Sequence, residues 1–287
     1  MADMTIRSCI LAARKKLTQA DIDDAAFNAD CMAAAILKVS NGRLPLLWCS
    51  PATPEFEKSL ESMVERRCCR EPLQYIVGEW SFLDFEVDVA PGALIPRPET
   101  EEVFLAAAAV IANKDFAGNF RFADVGTGSG VLGIAMARRF AGAEGFLVDI
   151  SDAALNVAAA NLNRYPQLCG RISLMRGDLL QAFAPASLEV VISNPPYVLS
   201  DEISCLQTEV ADFEPCLALD GGVNGLDLIE KLVAQAAVCL KPGGILVFEH
   251  GHGQRSELLE LLGPDWSLLS AADDLAGRER YVIVTRK

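Results

Sequence analysis

The 287-residue sequence predicts an α/β protein, with a doubly wound, mostly parallel seven-stranded sheet preceded by a small helical bundle and a linking β-hairpin. Two observations predict the sheet. From about residue 99, short apolar runs alternate with helical segments, as in strands that are buried on both faces. A glycine-rich turn follows the first run, where such sheets bind ligands. We therefore divide the chain into residues 1–75, 76–98 and 99–287.

Composition and charge predict a well-folded chain that is poorly suited to nucleic acid. Hydrophobic residues make up 51% of the sequence and charged residues 22%, which allows a substantial core. The net charge of −14, from 39 acidic and 25 basic residues, disfavours a protein that neutralises many phosphates. Arg66, Arg67 and Arg70 form a local basic cluster, which we interpret as the C-terminal turn of a helix.

Cysteines, histidines and hydropathy predict a cytoplasmic protein without a metal site. The nine cysteines include no Cys-x-x-Cys pair, so we interpret them as small buried residues in a reducing compartment. His250 and His252 are too few for a Cys/His zinc site, and we expect structural roles for both. No run of about 18 apolar residues and no signal peptide are present, so we expect no membrane span.

Residues 1–75 predict a bundle of short helices. The best-marked helix begins after Thr53, which can cap it, with Pro54 at the first helical position. Apolar residues then recur at helical spacing as far as Val64. Two earlier helices are predicted from the apolar positions Ile6, Ile10, Leu11 and Leu17, and from Phe27, Cys31, Ala34 and Ala35.

The hydrophobic period changes from helical to alternating in residues 76–98. Trp80 and Phe82 alternate with polar residues, and Phe85 and Val87 do the same after Asp84, which predicts a β-hairpin. The prolines that follow predict an ordered, non-helical connection to the sheet domain.

Strands and helices of the predicted sheet can be assigned in order. The predicted strands are Phe120–Val125, Gly145–Ile150, Ile172–Met175, Leu188–Ser193 and Ile245–Glu249, with a final hairpin of Trp266–Leu269 and Tyr281–Thr285. The predicted helices between them are Val131–Phe140, Asp152–Arg164 and Leu226–Leu240.

A glycine-rich turn and an acidic residue predict a nucleoside-binding site. The turn Asp124-Val125-Gly126-Thr127-Gly128-Ser129-Gly130 joins the first strand to the first helix. Asp149 ends the second strand, where a carboxylate can accept hydrogen bonds from both ribose hydroxyls. Asp178 follows the third strand, where it can contact an adenine or cap a helix. These features also fit an NAD-dependent oxidoreductase, because the turn satisfies G-x-G-x-x-G.

Asn194-Pro195-Pro196-Tyr197, after the fourth strand, favours a methyltransferase over an oxidoreductase. A planar amide or exocyclic amine is a weak nucleophile, because its nitrogen lone pair is delocalised. If the Asn194 side-chain oxygen and the Pro195 carbonyl accept its two hydrogens, the nitrogen is held in line with a methyl donor and made more electron-rich. The Tyr197 ring would pack against the planar group. Hydride transfer has no use for this motif.

Further motifs accompany this segment over almost the whole chain. They are Pro72-Leu73-Gln74-Tyr75-Ile76-x-Gly78, Leu94-Ile95-Pro96-Arg97-Pro98-Glu99-Thr100-Glu101, Val148-Asp149-Ile150-Ser151, Phe213-Glu214-Pro215 and Glu249-His250-Gly251 with Gln254. With these motifs the chain resembles the bacterial N5-glutamine methyltransferases that modify class 1 peptide chain release factors.

The resemblance implies a class I methyltransferase sheet, S-adenosylmethionine as the methyl donor and S-adenosylhomocysteine as the product. It implies that the acceptor is the glutamine amide of a release factor's Gly-Gly-Gln loop and that the helical domain helps to recognise the release factor. Nothing in the sequence requires more than a monomer, and we expect one. The implied cofactor pocket comprises Asp124, Gly126, Thr127, Gly128, Ser129, Gly130, Asp149, Ile150, Asp178, Leu179 and Asn194, and the implied acceptor site Asn194, Pro195, Pro196 and Tyr197. Many relatives carry an aromatic residue where this chain has Leu179.

The main alternative is an adenine-N6 DNA methyltransferase, whose acceptor amine is also planar. Such an enzyme extracts a base from the duplex and needs a basic surface. Residues 1–90 contain 10 basic and 14 acidic residues, a net charge of 10 − 14 = −4, so we expect no stable binding to nucleic acid. A non-catalytic adaptor is disfavoured, because the expected site residues other than the aromatic at 179 are present.

Overall fold

The computed structural model describes residues 4–114, 116, 118–274 and 276–287, and the chain divides into two compact units. The first unit runs up to Trp80 and also contains Gln207–Phe213. The second unit comprises Ser81–Leu206 and Glu214–Lys287. The sequence does not predict that Gln207–Phe213 belongs to the first unit, since nothing in its composition separates it from its neighbours.

The helices and strands of the described residues are as follows in chain order. The helices are α1 (Ile6–Gln19), α2 (Ala25–Leu37), α3 (Pro54–Cys68), α4 (Leu73–Val77), α5 (Pro98–Ala112), α6 (Val131–Arg139), α7 (Asp152–Asn163), α8 (Thr208–Ala211), α9 (Asp227–Cys239) and α10 (Arg255–Leu262). The strands are β1 (Glu79–Phe82), β2 (Phe85–Asp88), β3 (Phe120–Val125), β4 (Ala143–Asp149), β5 (Ile172–Arg176), β6 (Leu188–Ser193), β7 (Leu240–Glu249), β8 (Trp266–Asp273) and β9 (Glu279–Arg286). None of the described helices combines the length and the apolar character needed to cross a bilayer.

The first unit is the predicted helical bundle. α1, α2 and α3 pack around an apolar core that contains Leu17 and Met32, both fully buried. α3 begins as predicted, because Thr53 Oγ1 accepts a hydrogen bond from the backbone N–H of Phe56 at 3.2 Å and Pro54 occupies the first helical position.

The basic cluster at the end of α3 is neutralised within the first unit. Arg67 is 7% exposed, and its guanidinium donates to Asn28 Oδ1 at 2.8 Å and to Glu209 Oε1 at 2.9 Å. Arg70 also contacts Glu209, at 3.4 Å. These bonds attach Gln207–Phe213 to the helices, and the cluster lies at a helix end, as predicted.

The second unit is built on a seven-stranded sheet with the strand order β5-β4-β3-β6-β7-β9-β8. β3, β4, β5, β6 and β7 are parallel to one another, whereas β9 is antiparallel to both β7 and β8. After β5 the chain crosses to the other side of β3 and continues with β6, so the loops after β3 and β6 flank a crevice at the carboxyl edge. The predicted doubly wound, mostly parallel sheet is confirmed, as is the hairpin of β1 and β2.

The main departures of the structure from the predicted elements are the start of β7 and helices that the prediction omits. β7 begins at Leu240, five residues before the predicted start, because Leu240 pairs with Leu188 and a bulge follows before Ile245 resumes the ladder. The prediction misses α5 and α10. α5 begins at Pro98, which reads as part of the proline-rich connection, and its run of alanines gives only a weak helical period.

Candidate active site

A pocket in the second unit brings together most of the predicted site residues. The loops after β3, β4, β5 and β6 contribute Gly126–Ser129, Asp149–Ser151, Gly177–Leu179 and Asn194 to its walls. Gly92–Arg97, from the connection before α5, lines it as well. These segments converge because the carboxyl ends of parallel strands share one edge of the sheet.

The glycine loop presents backbone to the pocket. Gly126 and Gly128 have φ angles of +65° and +55°, in the left-handed region that favours glycine. The backbone N–H of Gly128 donates to Asp149 Oδ2 at 2.9 Å, which joins the loop to the end of β4. Gly130 is not on the pocket wall, and a Cβ there would come within 3.3 Å of Leu147, so its role is close packing.

Asp124 lies beneath the glycine loop instead of on the pocket wall. Its carboxylate is 1% exposed, and Oδ2 accepts hydrogen bonds from Thr127 Oγ1 at 2.6 Å and from the backbone N–H of Gly133 at 2.8 Å. Burial raises the pKa of Asp124 to about 7, although these two hydrogen bonds act in the opposite direction. Asp124 therefore shapes the loop from below.

Asp149 stands at the carboxyl end of β4 and lines the pocket. Its two oxygens accept hydrogen bonds from the backbone N–H groups of Gly128 and Ser151, each at 2.9 Å. Burial raises the pKa of Asp149, and the backbone hydrogen bonds partly counteract it. A carboxylate has about four acceptor sites, so acceptor capacity remains for hydroxyl groups of a ligand.

Ile150, Asp178 and Leu179 also line the pocket. Ile150 is 51% exposed, an apolar side chain that a planar ligand could cover. Leu179 has φ +52°, an uncommon conformation for a residue other than glycine, of a kind that concentrates at ligand sites. Asp178 Oδ2 accepts a hydrogen bond from Gln181 Nε2 at 2.6 Å.

The segment Asn194-Pro195-Pro196-Tyr197 follows β6 on the other side of the pocket. Asn194 and Pro196 line the pocket, whereas Pro195 is buried and Tyr197 packs against the apolar core. Ser193, just before the segment, donates from Oγ to the carbonyl of Val125 at 2.6 Å. This bond ties the segment to the start of the glycine loop.

Two hydrogen bonds, through Thr100, link Asn194 to a buried carboxylate that the sequence analysis does not assign to the site, and Tyr197 bonds to the same carboxylate. Asn194 Nδ2 donates to Thr100 Oγ1 at 3.0 Å, and Thr100 Oγ1 donates to Glu249 Oε2 at 2.8 Å. Tyr197 Oη donates to Glu249 Oε1 at 3.0 Å. Glu249 is 1% exposed, and burial raises its pKa to about 7. One signal in the sequence is an acidic residue that ends an apolar strand.

Gln254 is a second residue that the sequence analysis leaves without a role. Its Nε2 donates to the carbonyl of Tyr197 at 3.0 Å and to that of Gly225 at 3.4 Å. Its Oε1 accepts from the backbone N–H of Gly251 at 2.7 Å. Gln254 thereby fixes the backbone that follows the two prolines.

Arg97 is a basic residue on the pocket wall, and Glu214 holds it. Arg97 Nη2 donates to Glu214 Oε1 at 2.5 Å, and the backbone N–H of Ile95 donates to Glu214 Oε2 at 3.1 Å. Glu214 is 6% exposed, so this paired carboxylate anchors the connection before α5. The quoted motifs contain both residues without indicating that they meet.

His250 and His252 do not line the pocket. His250 is fully buried, and its Nδ1 lies 2.7 Å from the carbonyl oxygen of Gly251. Burial lowers the pKa of His250, which favours the neutral ring. Within the described residues, no group of three or more His, Cys, Asp or Glu is arranged to hold a metal ion.

Comparison with known proteins identifies the family. The model of the PrmC N-terminal domain matches residues 9–78, and that of the methyltransferase small domain matches residues 106–221. The release factor glutamine methyltransferase of Gloeobacter violaceus is 42% identical over 74% of this chain and 73% of its own. The one of Nitratidesulfovibrio vulgaris is 33% identical over 98% of this chain and 95% of its own. The chain belongs to the release factor glutamine methyltransferase family.

The resemblance given by the sequence motifs is thus confirmed, and the chain is a methyltransferase. Among solved structures, TYW2 of P. horikoshii in complex with MeSAdo has a TM-score of 0.51, with 72% of this chain and 70% of that chain covered. Since the two are 12% identical, this likeness concerns the fold alone.

Proposed function

We propose that the protein transfers a methyl group from S-adenosylmethionine to the side-chain amide nitrogen, N5, of the glutamine in the Gly-Gly-Gln loop of class 1 release factors. The observation that carries the proposal is the position of Asn194. It lies on the wall of a pocket that also contains the glycine loop and Asp149, and its amide nitrogen is already bonded to Thr100. The family membership of the chain supports the same acceptor.

The residues present fit S-adenosylmethionine. Asp149 is a pocket carboxylate with free acceptor sites for the two ribose hydroxyls, and Ile150 and Leu179 offer apolar surface to adenine. Asp178 is within the same wall and can accept from the adenine amine. The glycine loop Gly126–Ser129, which lines the pocket, suits the amino-acid part of the cofactor. When bound, the cofactor supplies a methyl group on a sulfonium and is released as S-adenosylhomocysteine.

The acceptor site would act by positioning. Asn194 Oδ1 and the Pro195 carbonyl accept the two hydrogens of the glutamine NH₂, which turns the nitrogen lone pair toward the methyl group and makes the nitrogen more electron-rich. Because Tyr197 packs against the apolar core and does not line the pocket, the packing of its ring against the amide plane stays a prediction from the sequence. The new N–C bond uses the nitrogen lone pair, and the nitrogen then loses one proton. No strong base is required, because that proton leaves a nitrogen that has become positively charged.

The remaining parts of the proposal concern partners and place of action. The helical domain, residues 1–75 by sequence, would help to recognise the release factor. We propose that the enzyme works as a monomer in the cytoplasm, without a metal and without stable binding to nucleic acid.

The test is methyl transfer from radiolabelled S-adenosylmethionine to three substrates. These are a purified release factor, the same factor with its Gly-Gly-Gln glutamine replaced by alanine, and plasmid DNA. We expect label on the unmodified factor alone. Label on the alanine variant would refute glutamine as the acceptor, and label on DNA would favour an adenine methyltransferase.

A further inference from the structure

The hydrogen bonds from Asn194 through Thr100 to Glu249 all donate toward Glu249, and the carboxylate of Glu249 sets this direction. An ionised carboxylate accepts hydrogen bonds and donates none, so Glu249 receives the hydroxyl protons of both Thr100 and Tyr197. The hydroxyl of Thr100 has one proton, and that proton is used on Glu249. Thr100 Oγ1 can then only accept from Asn194, which must turn its NH₂ group toward Thr100.

We propose that Glu249, acting through Thr100, is the positioning group that keeps the oxygen of the Asn194 side chain directed at the acceptor, an inference that rests on the proposed function. The reverse orientation of the amide would set the NH₂ of Asn194 against the NH₂ of the glutamine. Two donors would then face each other, and the acceptor nitrogen would lose one of the two bonds that hold it.

The burial of these residues makes the arrangement specific. Thr100 is 3% exposed and Glu249 is 1% exposed, so water does not compete for their hydrogen bonds. Thr100 belongs to α5 and Glu249 to β7, and Thr100 also lines the pocket beside Asn194. The buried carboxylate therefore reaches the pocket through one hydroxyl group.

The charges around Glu249 make its protonation sensitive to pH near neutrality. Burial raises the pKa of Glu249 to about 7, with Glu99 of α5 acting in the same direction. Arg280 of β9 and the hydrogen bonds from Thr100 and Tyr197 act in the opposite direction, and Arg280 is itself paired with Asp274 at 2.9 Å. A protonated Glu249 can donate to Thr100, which frees the Thr100 hydroxyl to donate to Asn194 and removes the preference for one amide orientation.

The first test compares Thr100→Val, which keeps the shape and removes the hydroxyl, with Thr100→Ser, which keeps a hydroxyl. Steady-state methylation of the release factor is measured with the full-length enzyme. We expect Thr100→Val to lower kcat by roughly 10- to 100-fold, as for other small misplacements of a reacting group. The KM for S-adenosylmethionine should stay within about threefold, because the cofactor does not need this orientation. Thr100→Ser should restore most of kcat.

The second test needs no activity. With asparagine labelled selectively with ¹⁵N, the side-chain NH₂ signal of Asn194 is assigned by its loss in Asn194→Ala. In the substrate-free wild type we expect this signal to titrate with a midpoint near 7, the pKa of Glu249. Glu249→Gln should abolish the titration, because an amide does not ionise, and Thr100→Val should shift the signal at every pH.

The outcomes separate this inference from the proposed function. An unchanged kcat in Thr100→Val would overturn the positioning role. So would an Asn194 NH₂ signal that shifts neither with pH nor in Thr100→Val. If Thr100→Val does not fold, the titrations of the wild type and Glu249→Gln still decide the question. A wild type that titrates as expected but does not methylate the release factor supports the control of the Asn194 amide orientation by Glu249 and refutes the proposed function.

Discussion

Replacing Asp124 by asparagine isolates the effect of a buried charge beneath the glycine loop. Both hydrogen bonds to the Asp124 side chain, from Thr127 and from Gly133, end on the same oxygen, Oδ2. An asparagine that places its oxygen there keeps both bonds. Asp124→Asn therefore removes the ionisable group and leaves the contacts that shape the loop.

The magnitude follows from the pKa of Asp124, which burial raises from 3.8 to about 7. Between these values the folded protein holds a proton that the unfolded chain has lost, so the free energy of unfolding falls as pH rises. One such group contributes up to about 1.4 kcal/mol per pH unit, and the slope falls to half at the folded-state pKa, which gives roughly 2 kcal/mol between pH 5 and pH 7. Asparagine does not titrate, so the variant should lack this contribution.

Urea unfolding at pH 5 and at pH 7 measures the difference. The control is Asp152→Asn, whose carboxylate is 65% exposed. The quantity to compare is the difference in the free energy of unfolding between the two pH values. An unpaired asparagine N–H would lower this free energy by about 1–3 kcal/mol at both pH values and so cancels from the difference. Glu249 titrates in the same range and should leave a smaller pH dependence in the variant. An equal pH dependence in wild type and Asp124→Asn would refute the assignment of a buried, titrating Asp124.

Three further predictions concern the pocket. Asp149→Asn should raise the Kd for S-adenosylmethionine by roughly 10- to 100-fold in calorimetry, since a hydrogen bond to a charged group contributes about 1.5–3 kcal/mol, whereas Asp152→Asn should not. Asn194→Ala should abolish methyl transfer and keep the urea midpoint; retained activity would exclude acceptor positioning. The affinity for S-adenosylmethionine should rise from pH 6 to pH 8 more than the affinity for S-adenosylhomocysteine. Asp124 becomes negatively charged over this range, and only S-adenosylmethionine carries a positively charged sulfonium. Equal gains for the two ligands would contradict that.

The sequence predicts the fold well where local pattern and tertiary role agree. Each strand of the sheet is an apolar run, and the glycine loop lies where a buried strand meets a helix, so periodicity and turn chemistry suffice. α5 is missed because its exposed positions, such as Leu105 and Ala109, are as apolar as its buried ones, which leaves little amphipathic contrast in the sequence. The membership of Gln207–Phe213 in the helical unit depends on ion pairs such as Arg67 with Glu209, which are distant in sequence.

In the candidate site, too, the sequence pattern predicts which residues are present better than it predicts what their side chains contact. Gly126, Asp149 and Asn194 are predictable, because each ends or directly follows a strand at the edge where ligands bind. Asp124 and Gly130 belong to the same motif, yet the structure gives them roles in supporting and packing the loop. A motif records which residues occur together. It does not record which of them face the ligand.

The buried acids connect these observations. Burying a carboxylate disfavours its ionised form, and the raised pKa values of Asp124, Asp149 and Glu249 express that cost in the free protein. Asp149 and Glu249 still hold backbone or hydroxyl donors in the geometry that the proposed reaction needs. A cationic methyl donor bound in the pocket would stabilise the ionised forms of these carboxylates, so binding would offset part of the cost of their burial. Buried carboxylates are unfavourable in a hydrophobic core, but they are expected in a site that binds a cation.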